Sequence, residues 1–346
     1  MYSFRRIAAC SLTIVVSMSL AVGCSARTKT RSADDRTYVV AAAGDIACDP
    51  IDPNYSGASP GSCQQRQTAN LAVGIDPDVV LALGDLQYEC GTATAFAFSY
   101  NLSWGRFRDK TRPIVGNHEY AFSCLQQNNR ALAYFSYFGA AAGDPDHGYY
   151  SFDLGTWHVL ALNSECAHIP GGCGQGSSEL EFVRHELRLH PGNCTLVYWH
   201  EPRFSSGVHG DARQMAEIWN ALVGHAAIVL SGHAHAYERF DPIGVTPTGK
   251  GASGLTTEAS PPDYHQPVLD PEGLREFVVG TGGRDLEQFR AATGAPIPAL
   301  HGEVVRNDRT FGVLRLALGP GSYGWRFVPV RDGDFSDSGT GSCRRP

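Results

Sequence analysis

The chain has 346 residues, with 39 glycines, 20 prolines, a hydrophobic share of 42% and a charged share of only 18%, enough apolar material for a large core under many loops. A formal net charge of −7 excludes an obligate nucleic-acid partner, because a phosphate backbone demands a basic footprint. It does not exclude a small phosphorylated substrate, since bound metal ions supply positive charge locally.

Arg5 and Arg6 precede an apolar stretch over 7–22 that is diluted by Ser11, Thr13, Ser17 and Ser19. It is too short and too polar for a membrane span, so residues 1–24 read as a targeting segment. Leu20-Ala21-Val22-Gly23-Cys24 resembles a bacterial lipoprotein cleavage site with lipid added to Cys24; an ordinary secretory signal is the alternative. The expectation is an exported protein, a surface lipoprotein or otherwise secreted, that touches a membrane only through Cys24. Residues 25–37 are polar and aperiodic, as a flexible tether is, and 38–346 form the catalytic domain.

Apolar runs over 37–43 and 78–83 predict buried strands, with a helix over 64–73 between them. Strands follow over 149–154 and 157–162, hinged at Gly155, then a helix over 178–189 and strands over 196–199 and 226–230. Such alternation predicts an α/β fold with a largely parallel sheet. Residues 244–273 are rich in Gly, Pro, Ser and Thr and break the pattern as a surface insertion. Strand character returns at 277–279, 311–318 and 323–330. Past the targeting segment lie eight cysteines: Cys48, Cys63, Cys90, Cys124, Cys166, Cys173, Cys194 and Cys343. In an exported chain an even count reads as disulfides. About a hundred pairings are possible; sequential pairing is the expectation. The rival role for Cys48 and Cys90, as metal ligands, lacks a Cys-x-x-Cys spacing.

Five short motifs carry the chemistry: Gly44-Asp45, Gly84-Asp85-Leu86-Gln87-Tyr88, Gly116-Asn117-His118-Glu119, Val197-Tyr198-Trp199-His200 and Gly232-His233-Ala234-His235. Each falls where a strand ends, the edge at which α/β sheets collect ligands. Carboxylate, phenol, amide and imidazole together suit two hard-to-borderline metal ions that polarise a phosphate and activate water. Singly, such residues are ordinary: an Asp after a strand is a turn former or helix cap. His147, His158, His168, His185, His190, His225, His265 and His301 receive only that ordinary role. Gly280-Thr281-Gly282-Gly283 lacks the βαβ context of a phosphate cradle and reads as strand-closing glycines near the metal motifs.

The order and spacing of the motifs resemble the metallophosphoesterase superfamily. Tyr88 and the run Gly232-His233-Ala234-His235-Ala236-Tyr237-Glu238-Arg239 narrow the resemblance to its purple acid phosphatase-like branch. The first motif departs from the usual Asp-x-Gly, reading Asp45-Ile46-Ala47. The resemblance implies a four-layer αββα sandwich of two mixed β-sheets flanked by helices, without the extra N-terminal β-domain of the plant relatives. It implies two metal ions per chain, Fe3+ with Zn2+, Mn2+ or Fe2+. Asp85 would bridge them, Asp45, Tyr88 and His235 completing one site and Asn117, His200 and His233 the other. A metal-held hydroxide would attack the phosphorus of a phosphomonoester, with His118 as general acid or phosphate clamp and His209 contacting substrate. Glu119 would either orient His118 or face solvent. The alternatives are a phosphodiesterase or nucleotide hydrolase on the same scaffold, or a non-catalytic surface lipoprotein that binds metal or phosphate.

Overall fold

The computed structural model describes residues 36–120, 130–246, 267–331 and 334–343. The expected targeting segment, most of the tether, Cys124, His265 and most of the 244–273 insertion lie outside the described residues. Among those described, no helix is long and apolar enough to cross a membrane.

β1 (Tyr38–Ala43) is followed by α1 (Gln65–Ile75), β2 (Val79–Leu83), α2 (Ala93–Phe98), β3 (Thr111–Ile114) and α3, described over Asn117–Tyr120. α4 (Leu132–Phe138) leads into a hairpin of β4 (Tyr150–Leu154) and β5 (Trp157–Ala161), which turns at Gly155 with φ +61°. α5 (Ser178–Leu189), β6 (Cys194–Tyr198), α6 (Ala216–Leu222) and β7 (Ile228–Ser231) come next. β8 (Tyr237–Phe240), β9 (Arg275–Val279) and β10 (Glu303–Asn307) precede β11 (Gly312–Gly319), β12 (Ser322–Pro329) and β13 (Ser338–Ser342).

The strands form two sheets, ordered β13-β12-β11-β1-β2-β3 and β10-β8-β9-β7-β6-β5-β4. Both are mixed. β1, β2 and β3 are parallel, as are β5, β6, β7 and β9, and the flanking pairs are antiparallel. Two mixed sheets are what the family resemblance implies; the parallel pairing read from the alternation is found in β1, β2 and β3 at one side of the first sheet and in β5, β6, β7 and β9 of the second. β11 returns as β12 through a tight turn, which yields only antiparallel neighbours.

Every residue of β2, β5 and β6 is buried, as central strands covered on both faces must be. The inner faces of the sheets pack together through Phe277 on Trp325 (ring centroids 5.5 Å apart) and Tyr237 on Phe327 (4.7 Å). The Trp157 indole N–H donates to the Gly319 carbonyl at 2.9 Å between them. α1 lays Thr68, Ala69 and Ala72 against the first sheet. α5 starts at Ser177, whose hydroxyl accepts the Leu180 N–H. It buries Leu180, Val183 and Leu187 on the outer face of the second sheet, beside α6. The result is four layers, αββα.

Two ties fasten the far side of the sandwich. Asp337 accepts hydrogen bonds from Tyr237 Oη (2.7 Å) and Arg239 Nε (2.8 Å) on β8, and from Trp325 Nε1 (3.1 Å) on β12. Cys194 on β6 is disulfide-bonded to Cys343. Cys48–Cys63 and Cys166–Cys173 are also bonded, as sequential pairing predicts. Cys90 is disulfide-bonded too, whereas Cys124, its expected partner, lies outside the described residues. Cys48, Cys63 and Cys90 therefore offer no free thiolate to a metal.

Candidate metal centre

Parallel strands share a C-terminal edge, and the five motifs emerge there from β1, β2, β3, β6 and β7. The chain turns sharply at these ends. Asp45, Asp85 and His233 have φ of +58°, +49° and +66°, left-handed values that cost a residue with a side chain and gather at functional sites. Two glycines are indispensable to the close approach. A Cβ on Gly116 would lie 2.3 Å from Asp85 Oδ1, and one on Gly84 would lie 2.4 Å from the His200 ring.

The seven residues expected to bind metal converge as two groups. In one, Tyr88 Oη lies 2.9 Å from Asp45 Oδ1 and 2.9 Å from His235 Nε2. In the other, Asn117 Oδ1 lies 3.2 Å from His200 Nε2 and 3.0 Å from His233 Nδ1. Asp85 Oδ2 joins them, 3.1 Å from Tyr88 Oη and 3.2 Å from His200 Nε2. Asp45, Asp85, Tyr88 and His200 are almost wholly buried.

The remaining atoms of these side chains hold the loops. Asp85 Oδ1 accepts the His118 backbone N–H at 2.8 Å, and Asp45 Oδ2 accepts that of His233 at 2.8 Å. His200 Nδ1 faces the Leu83 carbonyl at 2.8 Å and His235 Nδ1 the Asp285 carbonyl at 2.7 Å. A carbonyl only accepts, so Nδ1 carries the proton in both and Nε2 is free to donate its lone pair inward.

Charge in the cluster is unbalanced. Burial works against it, yet His200 and His118 hold the Asp85 carboxyl well below the ordinary range. Burial, then the Asp45 and Asp85 carboxylates, push the Tyr88 phenol well above its ordinary value. His235 rises to about 9 because the bond to Asp45 and its charge outweigh burial, and burial together with His200 holds His233 down. Two carboxylates, a phenol, an amide oxygen and three imidazoles thus aim oxygen and nitrogen donors at one small space. That donor set fits a pair of hard-to-borderline cations.

His118 and His209 border this cluster from opposite loops. The His118 ring packs 4.3 Å from that of Tyr88, with Nε2 3.9 Å from Asp85 Oδ2 and Nδ1 2.6 Å from the Glu89 carbonyl. The His209 ring lies 4.6 Å from that of His233, and its Nε2 lies 3.1 Å from Glu287 Oε2.

Glu119 overturns both of its expected roles. It neither orients His118 nor faces solvent, being 1% exposed. Its carboxylate accepts four backbone N–H groups: Asp85 (3.0 Å), Leu86 (2.8 Å), Gln87 (3.1 Å) and Gly116 (2.9 Å). Burial and the Asp85 charge push it up to about 8, against those hydrogen bonds. Glu119 is therefore the clamp that shapes the Asp85 loop. Nothing in a Gly-Asn-His-Glu string separates a carboxylate that turns inward onto backbone from one that turns out.

Sequence reasoning also passed over Arg284, whose guanidinium lies 5.2 Å from the Tyr88 ring centroid and 2.7 Å from Glu89. The Gly280–Gly283 run is no phosphate cradle. Gly280 and Gly282 donate their N–H groups to the Ala236 and Gly44 carbonyls, closing β9 against the metal loops as expected. Of the remaining histidines, His158 is buried with Nδ1 on Asp153 at 2.8 Å and its ring stacked on His190.

The family model for calcineurin-like phosphoesterases matches residues 38–237. Over 242 residues the chain is 28% identical to purple acid phosphatase 15 of Arabidopsis thaliana, covering 60% of this chain and 40% of that protein. It is 25% identical over 210 residues to probable purple acid phosphatase 20 of the same plant, covering 56% and 47%. Over 314 residues it is 22% identical to that plant's probable inactive purple acid phosphatase 9, covering 77% and 44%. The chain thus spans less than half the length of these relatives. Among solved structures it is similar to a purple acid phosphatase from yellow lupin (Lupinus luteus) seeds, with a TM-score of 0.62 at 19% identity, over 90% of this chain and 54% of that one. GAP50, the anchor in the inner membrane complex of Plasmodium, has a TM-score of 0.56 at 10% identity, over 89% of both chains. These two likenesses concern the fold alone.

Proposed function

The chain belongs to the calcineurin-like phosphoesterases, and on that premise we propose that it hydrolyses phosphomonoesters at a dinuclear metal centre. The observation that carries this is Asp85 Oδ2, a single carboxylate oxygen shared by the two ligand groups. Asp85 with Asp45, Tyr88 and His235 would hold one ion; Asp85 with Asn117, His200 and His233 would hold the other. Asp85 Oδ1 is engaged by the His118 N–H, while Oδ2 faces both ligand groups. The phenolate of Tyr88 favours Fe3+ at the first position, and the amide and imidazoles favour Zn2+, Mn2+ or Fe2+ at the second. Two cations bound there supply Lewis acidity toward the phosphoryl oxygens and make water a nucleophile at neutral pH.

The protein's own groups do the rest. His118 donates Nδ1–H to the Glu89 carbonyl, which leaves Nε2 facing the cluster. In the imidazolium form that nitrogen carries the second ring proton and would deliver it to the leaving oxygen of the ester, or donate a hydrogen bond to the phosphate. His209 reaches the phosphate from the His233 side. The buried backbone contacts of Asp45, Asp85 and Glu119 keep the donors in place before substrate arrives, which is where electrostatic catalysis gains most.

The disulfides support synthesis for an oxidising compartment, consistent with export and with a lipid anchor at Cys24. Partition of the cellular protein between membrane and soluble fractions, with and without Cys24→Ser, tests that anchor; equal membrane retention would remove it.

Hydrolysis of an aryl phosphate monoester, with metal content measured on the same sample, tests the main proposal. Phosphate release with about two metals per chain, lost in His118→Ala while metal is retained, supports it. Cleavage of an aryl diester in preference to the monoester would move the assignment to a phosphodiesterase. Two bound metals without turnover on either would make the chain a binding protein.

A further inference from the structure

We propose that Glu287 positions His209, so that the imidazole offers Nδ1 rather than Nε2 to the phosphate. This rests on the monoesterase assignment for its kinetic consequence but not for its geometry. Glu287 lies beyond β9, and its backbone N–H donates to the His235 carbonyl at 3.0 Å. Its carboxylate is therefore anchored to the loop that carries two of the expected metal ligands. Both carboxylate oxygens reach one nitrogen of His209: Oε1 lies 3.3 Å and Oε2 3.1 Å from Nε2.

His209 needs such a partner. It belongs to the loop between β6 and α6, where the Ser205 N–H is held by Asp211 Oδ1 (3.0 Å) and the Gly210 N–H by the Gly207 carbonyl (3.2 Å). Those bonds fix the backbone and leave the ring free to rotate, for the side chain is 40% exposed. At 4.6 Å from the His233 ring and 6.3 Å from that of His235, a rotation decides which nitrogen faces the cluster. An ionised carboxylate only accepts, so the nitrogen against Glu287 carries a proton. Nδ1 is then the nitrogen left for substrate, accepting from a phosphate hydroxyl as the neutral ring or donating to a phosphate oxygen as the imidazolium. The arrangement differs from that of His118, whose Nδ1 meets a neutral carbonyl. One histidine is oriented by backbone and the other by a charged side chain from a distant loop.

The experiment compares wild type, Glu287→Ala, Glu287→Gln, His209→Ala and the Glu287→Ala/His209→Ala double variant, each loaded with zinc. Nitrogen-15 spectra of the histidine rings report the His209 tautomer. The wild type should show a proton on Nε2 that Glu287→Ala releases to exchange between the two nitrogens, while Glu287→Gln keeps it through the amide oxygen. On an aryl phosphate, Glu287→Ala and His209→Ala should each lower kcat/KM by roughly 10- to 100-fold, with metal content unchanged. The double variant should be no worse than His209→Ala alone, since residues acting through one another are not additive. A His209 tautomer indifferent to Glu287, or losses that multiply in the double variant, would overturn the proposal. A wild type inactive on phosphoesters would instead refute the monoesterase assignment, and the spectra would still decide the role of Glu287.

Discussion

The Asp45 carboxylate accepts the backbone N–H of His233 at 2.8 Å, joining positions 188 residues apart. The first motif of the chain thus fastens the last, across the gap between the two sheets. Asp85 does the same for the third motif through the His118 N–H. Each aspartate has one oxygen for architecture and one for the cluster, so removing its charge and removing its shape are different perturbations.

Asp85→Asn separates them. An asparagine tolerates the left-handed backbone at this position, and its carbonyl oxygen can still accept the His118 N–H. Charge and bridging capacity are lost. Metal content should drop below two per chain and aryl phosphate hydrolysis by at least about 100-fold, with an unchanged circular dichroism spectrum. Two retained metals and near-normal turnover would remove Asp85 from the bridging position.

Glu119→Gln tests the clamp. The amide replaces one accepting oxygen with an NH2 group that confronts backbone N–H donors. With buried donors left unmatched, the variant should lose about 2–4 kcal/mol of stability, measured by urea denaturation of the metal-free protein. Metal affinity should fall as well, although Glu119 touches no metal. A loss under about 0.5 kcal/mol, the range of ordinary surface substitutions, would contradict the clamp.

Asp337 gives a pH dependence remote from the metal site. Burial alone would raise its carboxyl, but the hydrogen bonds from Arg239 and Tyr237 outweigh that and hold it below its ordinary value of 3.8. A carboxyl depressed by folding adds stability that is fully present above the unfolded pKa and is lost as pH falls through the folded one. The stability difference between wild type and Asp337→Asn should therefore be constant above about pH 5 and shrink below pH 4. A difference that grows on acidification would show that Asp337 is not held ionised by these partners.

Tyr88→Phe bears on metal identity. The iron-loaded wild type should be coloured by phenolate-to-Fe3+ charge transfer, and the phenylalanine variant should lose the band while keeping its fold. Colour that survives the substitution would assign the absorbing ligand elsewhere.

The cluster of converging side chains was legible because its residue types are rare together and several of them follow an apolar run such as Val79–Leu83. The central strands and α5 were legible for the same reason: burial on both faces, or a helical stripe, writes itself into composition. Other strands carry no such signature. β3 reads Thr-Arg-Pro-Ile, and its proline argues against a strand. β13 is Ser-Gly-Thr-Gly-Ser, a poor strand former held in place by pairing with β12. β8 is hidden inside the motif continuation Tyr237-Glu238-Arg239, which proves structural. Tyr237 and Arg239 reach Asp337, while Glu238 accepts the Ser206 N–H at 2.8 Å. Glu119 and Glu287 were illegible as working residues because their significance lies in which backbone or ring their carboxylates meet. Only tertiary structure supplies that.

The match to the family spans 38–237 and contains every expected metal ligand, yet this stretch is not a separable part. β1 pairs with β11, Tyr38 opposite Leu318, and β9 lies between β7 and β8. Cutting the chain after residue 237 would strip β1 of its β11 neighbour, expose an apolar Val-Val-Ala-Ala-Ala edge, and take β9 from beside β7 together with all but the first residue of β8. Such edges invite association between copies. The segment that holds all the expected ligands is therefore the wrong unit to transplant. The portable module is the closed pair of sheets, and any minimal version of this metal centre has to carry β9, β11 and β12 with it.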